Sequence, residues 1–181
     1  MTDDPKQIAL PFPERDPVLE PLPAAFEDDT PISVIRAHIL EHRLDGLDCP
    51  ACGQFVREYK RKLNSTMTRG LIWLVLAAGT DREWIQVARR APRWLVQTNQ
   101  LGTVAHWGLI EAAPPDPKTG KKHSGVWRPT LIGIDFVHKR TRVPSHVYLY
   151  DNEVQGFSTE RIDVVEALGR HFNYYELMRD R

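Results

Sequence analysis

The sequence predicts an α+β fold, and three observations carry that expectation. Residues 64 to 142 alternate helical and strand signals in the order helix, strand, helix, helix, strand, turn-rich loop, strand. An amphipathic helix with a CPAC turn precedes them, and a β-hairpin with a further helix follows them. The chain has 181 residues, of which 41% are hydrophobic, enough to bury one sizeable core with an extension and a tail. Four segments are expected: an arm over 1 to 29, a helix, CPAC turn and basic segment over 30 to 63, the main body over 64 to 142, and a hairpin plus helix over 143 to 181.

The arm carries Pro5, Pro11, Pro13, Pro17, Pro21 and Pro23 among many acids. That composition sustains neither helix nor ladder hydrogen bonds, so a disordered or extended arm is expected. Thr30 and Pro31 read as N-cap and first position of a helix over 31 to 44, with Ile32, Ile35 and Ile39 at helical spacing and Gly46 closing it. Asn64 or Ser65 caps a helix reaching Gly79, whose continuous apolar second half implies burial on most sides. WIQV, 84 to 87, fits a short strand. Pro92 opens a short helix, and Thr98 or Asn99 caps another that ends at His106 and Trp107 before Gly108.

HWGLIEAA, 106 to 113, then supplies a helix end and a strand, and GVWRPT, 125 to 130, the returning strand. The loop between them holds Pro114, Pro115, Pro117 and Gly120, with Lys118, Lys121, Lys122 and His123 upon it. Thr130 caps a helix over 130 to 140 with Leu131, Ile134, Phe136 and Val137 mostly on one side. VPSHVYLYDNEVQGFS alternates about Asp151-Asn152, a hairpin signal. Ser158 or Thr159 is expected to cap the last helix, and Tyr174, Tyr175 and Leu177 to pack the tail back onto the body.

Through 64 to 140, this order and the HWGLIE to VWRPTLIGIDFV segment resemble the MarR-like and PadR-like winged helices. CPACGQFVREYKRKLNS, HWGLIE, VPSHVYLY, GFS and EALGRHFNYYELM also resemble a group of small, mostly phage-encoded proteins, over 49 to 178. The first resemblance implies a winged helix-turn-helix core whose contact surface is 98 to 106 and the 114 to 124 loop. The second implies a phage or prophage setting and a zinc-knuckle-like start, and brings no established activity with it.

Charge points the same way. The formal net charge is zero, but 57 to 142 holds 16 Lys plus Arg against 6 Asp plus Glu, which leaves +10 there and −10 in the remainder. Clustered cations gain affinity by displacing counterions from phosphates, so a polyanion such as double-stranded DNA is the expected partner of the middle. The competing reading is a solvated basic face with acidic tails. Candidate contacts are Asn99, Gln100, Thr103 and His106 on the second helix of the pair, Arg89, Arg90 and Arg93 before it, and Lys118, Lys121 and Lys122 on the loop. Tyr59, Lys60, Arg61 and Lys62 could follow a phosphate backbone, or form a solvated helical turn with Tyr59 inward. Asn or Gln could pair bidentately with adenine.

CPAC places Cys49 and Cys52 on a tight turn where Gly53 permits close backbone approach, half of a structural zinc site. His38 and His42, four apart on one helix face, would complete a four-ligand set, against reduced structural cysteines or a metal-free knuckle. Thioredoxin-type redox chemistry is disfavoured, because an amphipathic helix rather than a βαβ unit surrounds the motif. No Ser, His and Asp order, phosphate loop, HExxH or EF-hand loop occurs, so an enzyme is the least favoured class. An adaptor that docks on a protein through the winged-helix scaffold is the main alternative to DNA binding. The longest apolar run, 71 to 78, falls far short of the ~20 residues a membrane crossing needs. With no basic stretch leading an apolar one at the amino terminus, a cytoplasmic protein is expected.

Overall fold

The computed structural model describes residues 26, 27, 29 to 120 and 125 to 179; the expected arm, apart from its last residues, and Lys121, Lys122 and His123 lie outside them. The protein is a mixed helix and sheet structure, as the α+β expectation has it. Its first helix, α1 (Ile32–His42), starts one position later than expected: Pro31 is the N-cap, no side chain caps the helix, and Ile35 and Ile39 are buried. Gly46 closes the turn at φ +84°, packed so tightly beneath Phe55 that a Cβ would lie 2.7 Å from its ring. Strands β1 (Leu47–Asp48) and β2 (Phe55–Val56) then pair antiparallel around CPACGQ.

Strand β3 (Tyr59–Lys62) leads into helix α2 (Ser65–Ala78). Asn64 caps α2 as expected, its Oδ1 accepting from the Met67 N–H at 2.9 Å. The apolar run buries Leu71, Ile72, Leu74, Val75 and Ala78, making α2 the centre of the core. The buried Thr68 is satisfied locally, its hydroxyl donating to the Asn64 carbonyl at 2.9 Å.

Beyond α2 come β4 (Ile85–Gln86), α3 (Val87–Arg90) and α4 (Arg93–Thr98). The expected single helix from Thr98 or Asn99 to Trp107 is not formed. Asn99 takes the left-handed conformation at φ +48° and ends α4, and Leu101–Trp107 is a 3-10 segment without a side-chain cap. Asn tolerates this conformation better than most residues, which is why the break falls there. Strands β5 (Ile110–Ala112) and β6 (Val126–Pro129) follow, and β4, β6 and β5 form an antiparallel sheet in that spatial order. Arg82 and Arg128 both meet Glu111 across it, at 2.9 and 2.7 Å.

Helix α5 (Leu131–Val137) has the expected Thr130 cap, the Thr130 hydroxyl accepting from the Gly133 N–H at 3.1 Å. Phe136 and Val137 are buried, but Leu131 is exposed, unlike the one-sided set expected. Strand β7 (Val143–Pro144) pairs with β10 (Arg161–Ile162). Strands β8 (His146–Tyr150) and β9 (Glu153–Phe157) form the expected hairpin, with Asp151 and Asn152 both at positive φ, as a type I′ turn requires. Strand β3 adds to β8, giving the sheet order β3-β8-β9.

The last long helix divides into α6 (Val164–Leu168) and α7 (Tyr174–Arg179). Neither Ser158 nor Thr159 caps it: Asp163 and Glu166 form a reciprocal capping box instead. Ser158 is occupied elsewhere, accepting the His146 N–H and meeting the buried Ser145 hydroxyl, each at 3.0 Å. Tyr174 does pack back, its hydroxyl donating to the Val137 carbonyl at 2.9 Å, whereas Tyr175 stays exposed.

At Gly133 the backbone of α5 presses on the Leu109 carbonyl, where a Cβ would come within 2.0 Å of oxygen. Gly133→Ala must therefore push α5 off the body, and urea unfolding should show a loss of roughly 1 to 3 kcal/mol. A variant as stable as the wild type would contradict this packing.

Candidate nucleic-acid interface

Strand β3 and the 3-10 segment border one groove of about 420 Å³. Lys60, Arg61 and Lys62 line it from the strand, and Gln100, Thr103 and His106 from the segment, with Asn64 and Met67 at its base. Two sets of residues that the sequence offers separately thus face each other. The junction is a hydrogen bond: Asn64 Nδ2 donates to Gln100 Oε1 at 3.1 Å, while Asn64 Oδ1 is held by the Met67 N–H. The cap of α2 therefore fixes the position of Gln100. With Oε1 turned to Asn64, the Nε2 donors are what Gln100 offers outward. This suits phosphate oxygens and base acceptors better than the paired donor and acceptor contact expected with adenine. Asn99 is exposed but its backbone role as the end of α4 places it outside the groove lining.

All four residues of β3 are exposed, which corrects the helical-turn alternative for YKRK. Tyr59 is 45% exposed and lies under two guanidinium groups, those of Arg57 and Arg61, each 5.7 Å from its ring centre. Among the described residues Lys60, Arg61 and Lys62 form no ion pair, so their charge is uncompensated at short range. Many other cations of the basic middle are engaged. Arg140 meets Asp135, and Arg142 meets Asp163 and Glu166. Arg69 stacks on Trp94 at 3.8 Å and reaches Phe172 at 4.9 Å.

The remaining predicted contacts are not brought together. Arg90 pairs with Glu83 and lines a different groove with Arg69, Trp73, Trp94 and Leu177. Arg89 and Arg93 are exposed on α3 and α4, outside the β3 groove. Lys118 is exposed on the loop, where Asp116 Oδ1 accepts from the Lys118 and Thr119 N–H groups.

The CPAC turn is tight: Cys52 and Gly53 donate their N–H groups to the Cys49 carbonyl at 3.3 and 2.8 Å, and Gly53 has φ +69°. Backbone N–H groups of Ala51 and then Cys52, with the Cys52 side chain, hold the Cys49 thiol below its ordinary value against the opposing effect of burial. The expected four-ligand zinc site is not assembled. His38 and His42 stack on each other, their ring centres 4.5 Å apart, and His38 meets Phe26 at 5.2 Å. Among the described residues no three His, Cys, Asp or Glu side chains come close enough to share a metal ion. The turn closed by Gly46 and strand β1 separate α1 from Cys49, and the imidazoles and thiols form two pairs instead of one cluster.

One titrating residue borders the basic strand. His146 pairs with Lys62 across β3 and β8. Its Nδ1 lies 2.7 Å from the Ser145 hydroxyl, which donates to Glu160 Oε2 at 2.6 Å. Burial first, then the charges of Lys60 and Lys62, lower its pKa, with Glu160 opposing. Folding therefore favours neutral His146, and the unfolded chain takes up the proton first as pH falls below about 6.5. Stability should decline on acidification through that range, and less so in His146→Asn. Parallel urea-unfolding profiles of the two proteins between pH 8 and 5.5 would contradict the assignment.

Among the described residues no helix is long and apolar enough to cross a membrane. No protein-family model, curated protein or solved structure matches the chain.

Proposed function

We propose that residues 64 to 142 form a winged helix and that the protein binds duplex DNA through the groove between β3 and the 3-10 segment. The observation that carries this is the meeting of Lys60, Arg61 and Lys62, free of ion pairs among the described residues, with Gln100, Thr103 and His106 in one groove. Cations supply affinity through phosphates, and the polar side chains opposite lie within reach of base edges. The winged-helix reading is supported by the order α2, β4, α3, α4, 3-10 segment, β5 and β6, and by the sheet order β4-β6-β5, in which β5 and β6 are antiparallel neighbours as strands flanking a wing are. The broken second helix presents its final turn, Thr103 to His106, toward β3, so the basic strand before the domain becomes part of the contact surface.

A second reading, an adaptor that docks a protein, is favoured by α1, where Ile32, Val34 and Leu40 are exposed. Salt separates the two. Affinity for a fluorescent duplex should fall steeply with salt concentration, and Ala at positions 60, 61 and 62 together should reduce the logarithmic slope by roughly 2 to 3, about 0.9 for each lost phosphate contact. Arg90→Ala, in the other groove, should leave the slope unchanged. No detectable duplex binding at low salt would overturn the DNA reading.

A further inference from the structure

The sheet face behind the basic strand carries a second arrangement, whose aromatic residues lie outside the duplex groove while Lys60 and Lys62 border both. Strand β8 alternates: Val147 and Leu149 are buried in the core, and His146, Tyr148 and Tyr150 stand half-buried on the opposite face. Cross-strand register puts Lys60 directly beside Tyr148, and Lys62 beside His146. Arg61 shares the other face with Val147. Strand β3 is thus a ridge, with the groove along one flank and an aromatic row along the other.

Tyr148 sits in an asymmetric setting. On one side the Lys60 ammonium lies 5.9 Å from its ring centre. On the other side its direct partner in β9 is Gly156, where a Cβ would meet nothing within 4 Å. The absence of a side chain there leaves space beside the ring, and Gln155 is set out of register by the bulge next to it. Glycine weakens a strand interior, and its φ here lies outside the left-handed range, so the backbone alone does not call for it. A flat ring with a cation on one side and space on the other is what a nucleobase and its phosphate require: the ring stacks on its free side, and the ammonium holds the backbone. Glu153, opposite Tyr150, marks one end and Glu160, held by the Ser145 hydroxyl beside His146, the other, since carboxylates repel phosphate; the favourable stretch lies between them, beside Lys60 and Lys62.

We propose that this face holds an unpaired stretch of nucleic acid, with a base stacked on Tyr148 in the space over Gly156 and its phosphates on Lys60 and Lys62. The inference rests on the duplex reading of the neighbouring groove and names its substrate class: a duplex that continues into a single strand. Lys60 and Lys62 border both the groove and the aromatic row, so the edge strand is where a duplex and the single strand that continues it meet. Both DNA and RNA overhangs offer the same stacking chemistry, and either can be the single strand.

The test compares fluorescent duplexes, blunt and with a ten-nucleotide DNA or RNA overhang, against the full chain. Wild type should bind one of the overhang duplexes roughly tenfold more tightly than the blunt one, within the range stacking of a base provides. Gly156→Val fills the space beside the ring with a good strand former. It should abolish the preference while keeping wild-type affinity for the blunt duplex, which also reports that the protein is folded. Tyr148→Leu should behave likewise, and Tyr148→Phe should retain the preference. Equal binding of blunt and overhang duplexes by wild type, or an undiminished preference in Gly156→Val, would overturn this proposal alone. Failure to bind any of the duplexes would overturn the reading on which it rests.

Discussion

Burial of helix α2 is the constraint on which the rest of the protein depends. Its apolar side chains are covered by α5, α6, α7, β6 and the 3-10 segment, elements drawn from the whole length of the body. Several of them, Leu71, Ile72 and Leu74 among others, are almost fully withdrawn from water, and each contributes about 1.5 to 3 kcal/mol of apolar transfer. That burial requires the start of the helix to be closed at a fixed place. Asn64 closes it, and the same amide reaches Gln100. The residue that begins the core helix thereby also anchors Gln100 in the groove.

Charge is sorted by this architecture into internal and external uses. Arg82 and Arg128 clamp Glu111 across the β4-β6-β5 sheet, and Arg142 ties β7 to the capping box of α6 through Asp163 and Glu166. These pairs are part-exposed and add little stability each, but they remove cations from the pool open to a polyanion. Strand β3 differs from these: its three consecutive cations lie on an edge strand with no carboxylate in ion-pair reach among the described residues. Exposed lysines on a sheet edge also discourage unwanted strand pairing, so the same residues protect the edge and present charge.

Much of the fold was legible in local signals. The Asn64 and Thr130 caps, the Gly46 closure and the Asp151-Asn152 turn each follow from one or two residues whose backbone preference dominates. What was hidden depends on distant partners. YKRK has no apolar alternation, because it is held as a strand by backbone bonds to β8, far along the chain, rather than by buried side chains. The break at Asn99 left its mark in the Asn itself, yet helical spacing on both sides masked it. The D-x-x-E box at Asp163 and Glu166 was readable; Ser158 competed for the same role and is instead committed to the Ser145 network. The candidate contacts were legible as residue types but not as a set: Arg89, Arg90 and Arg93 scatter over other surfaces, and the groove exists only because the chain before α2 folds back beside the chain after α4.

In the proposed function, nucleic acid meets this protein along β3 and the facing 3-10 segment. Backbone amide shifts recorded by NMR during titration with a duplex test it most directly. The largest changes should fall on residues 59 to 64 and 100 to 106. Changes concentrated instead around Arg90, Trp94 and Leu177, or along α1, would contradict binding at this groove.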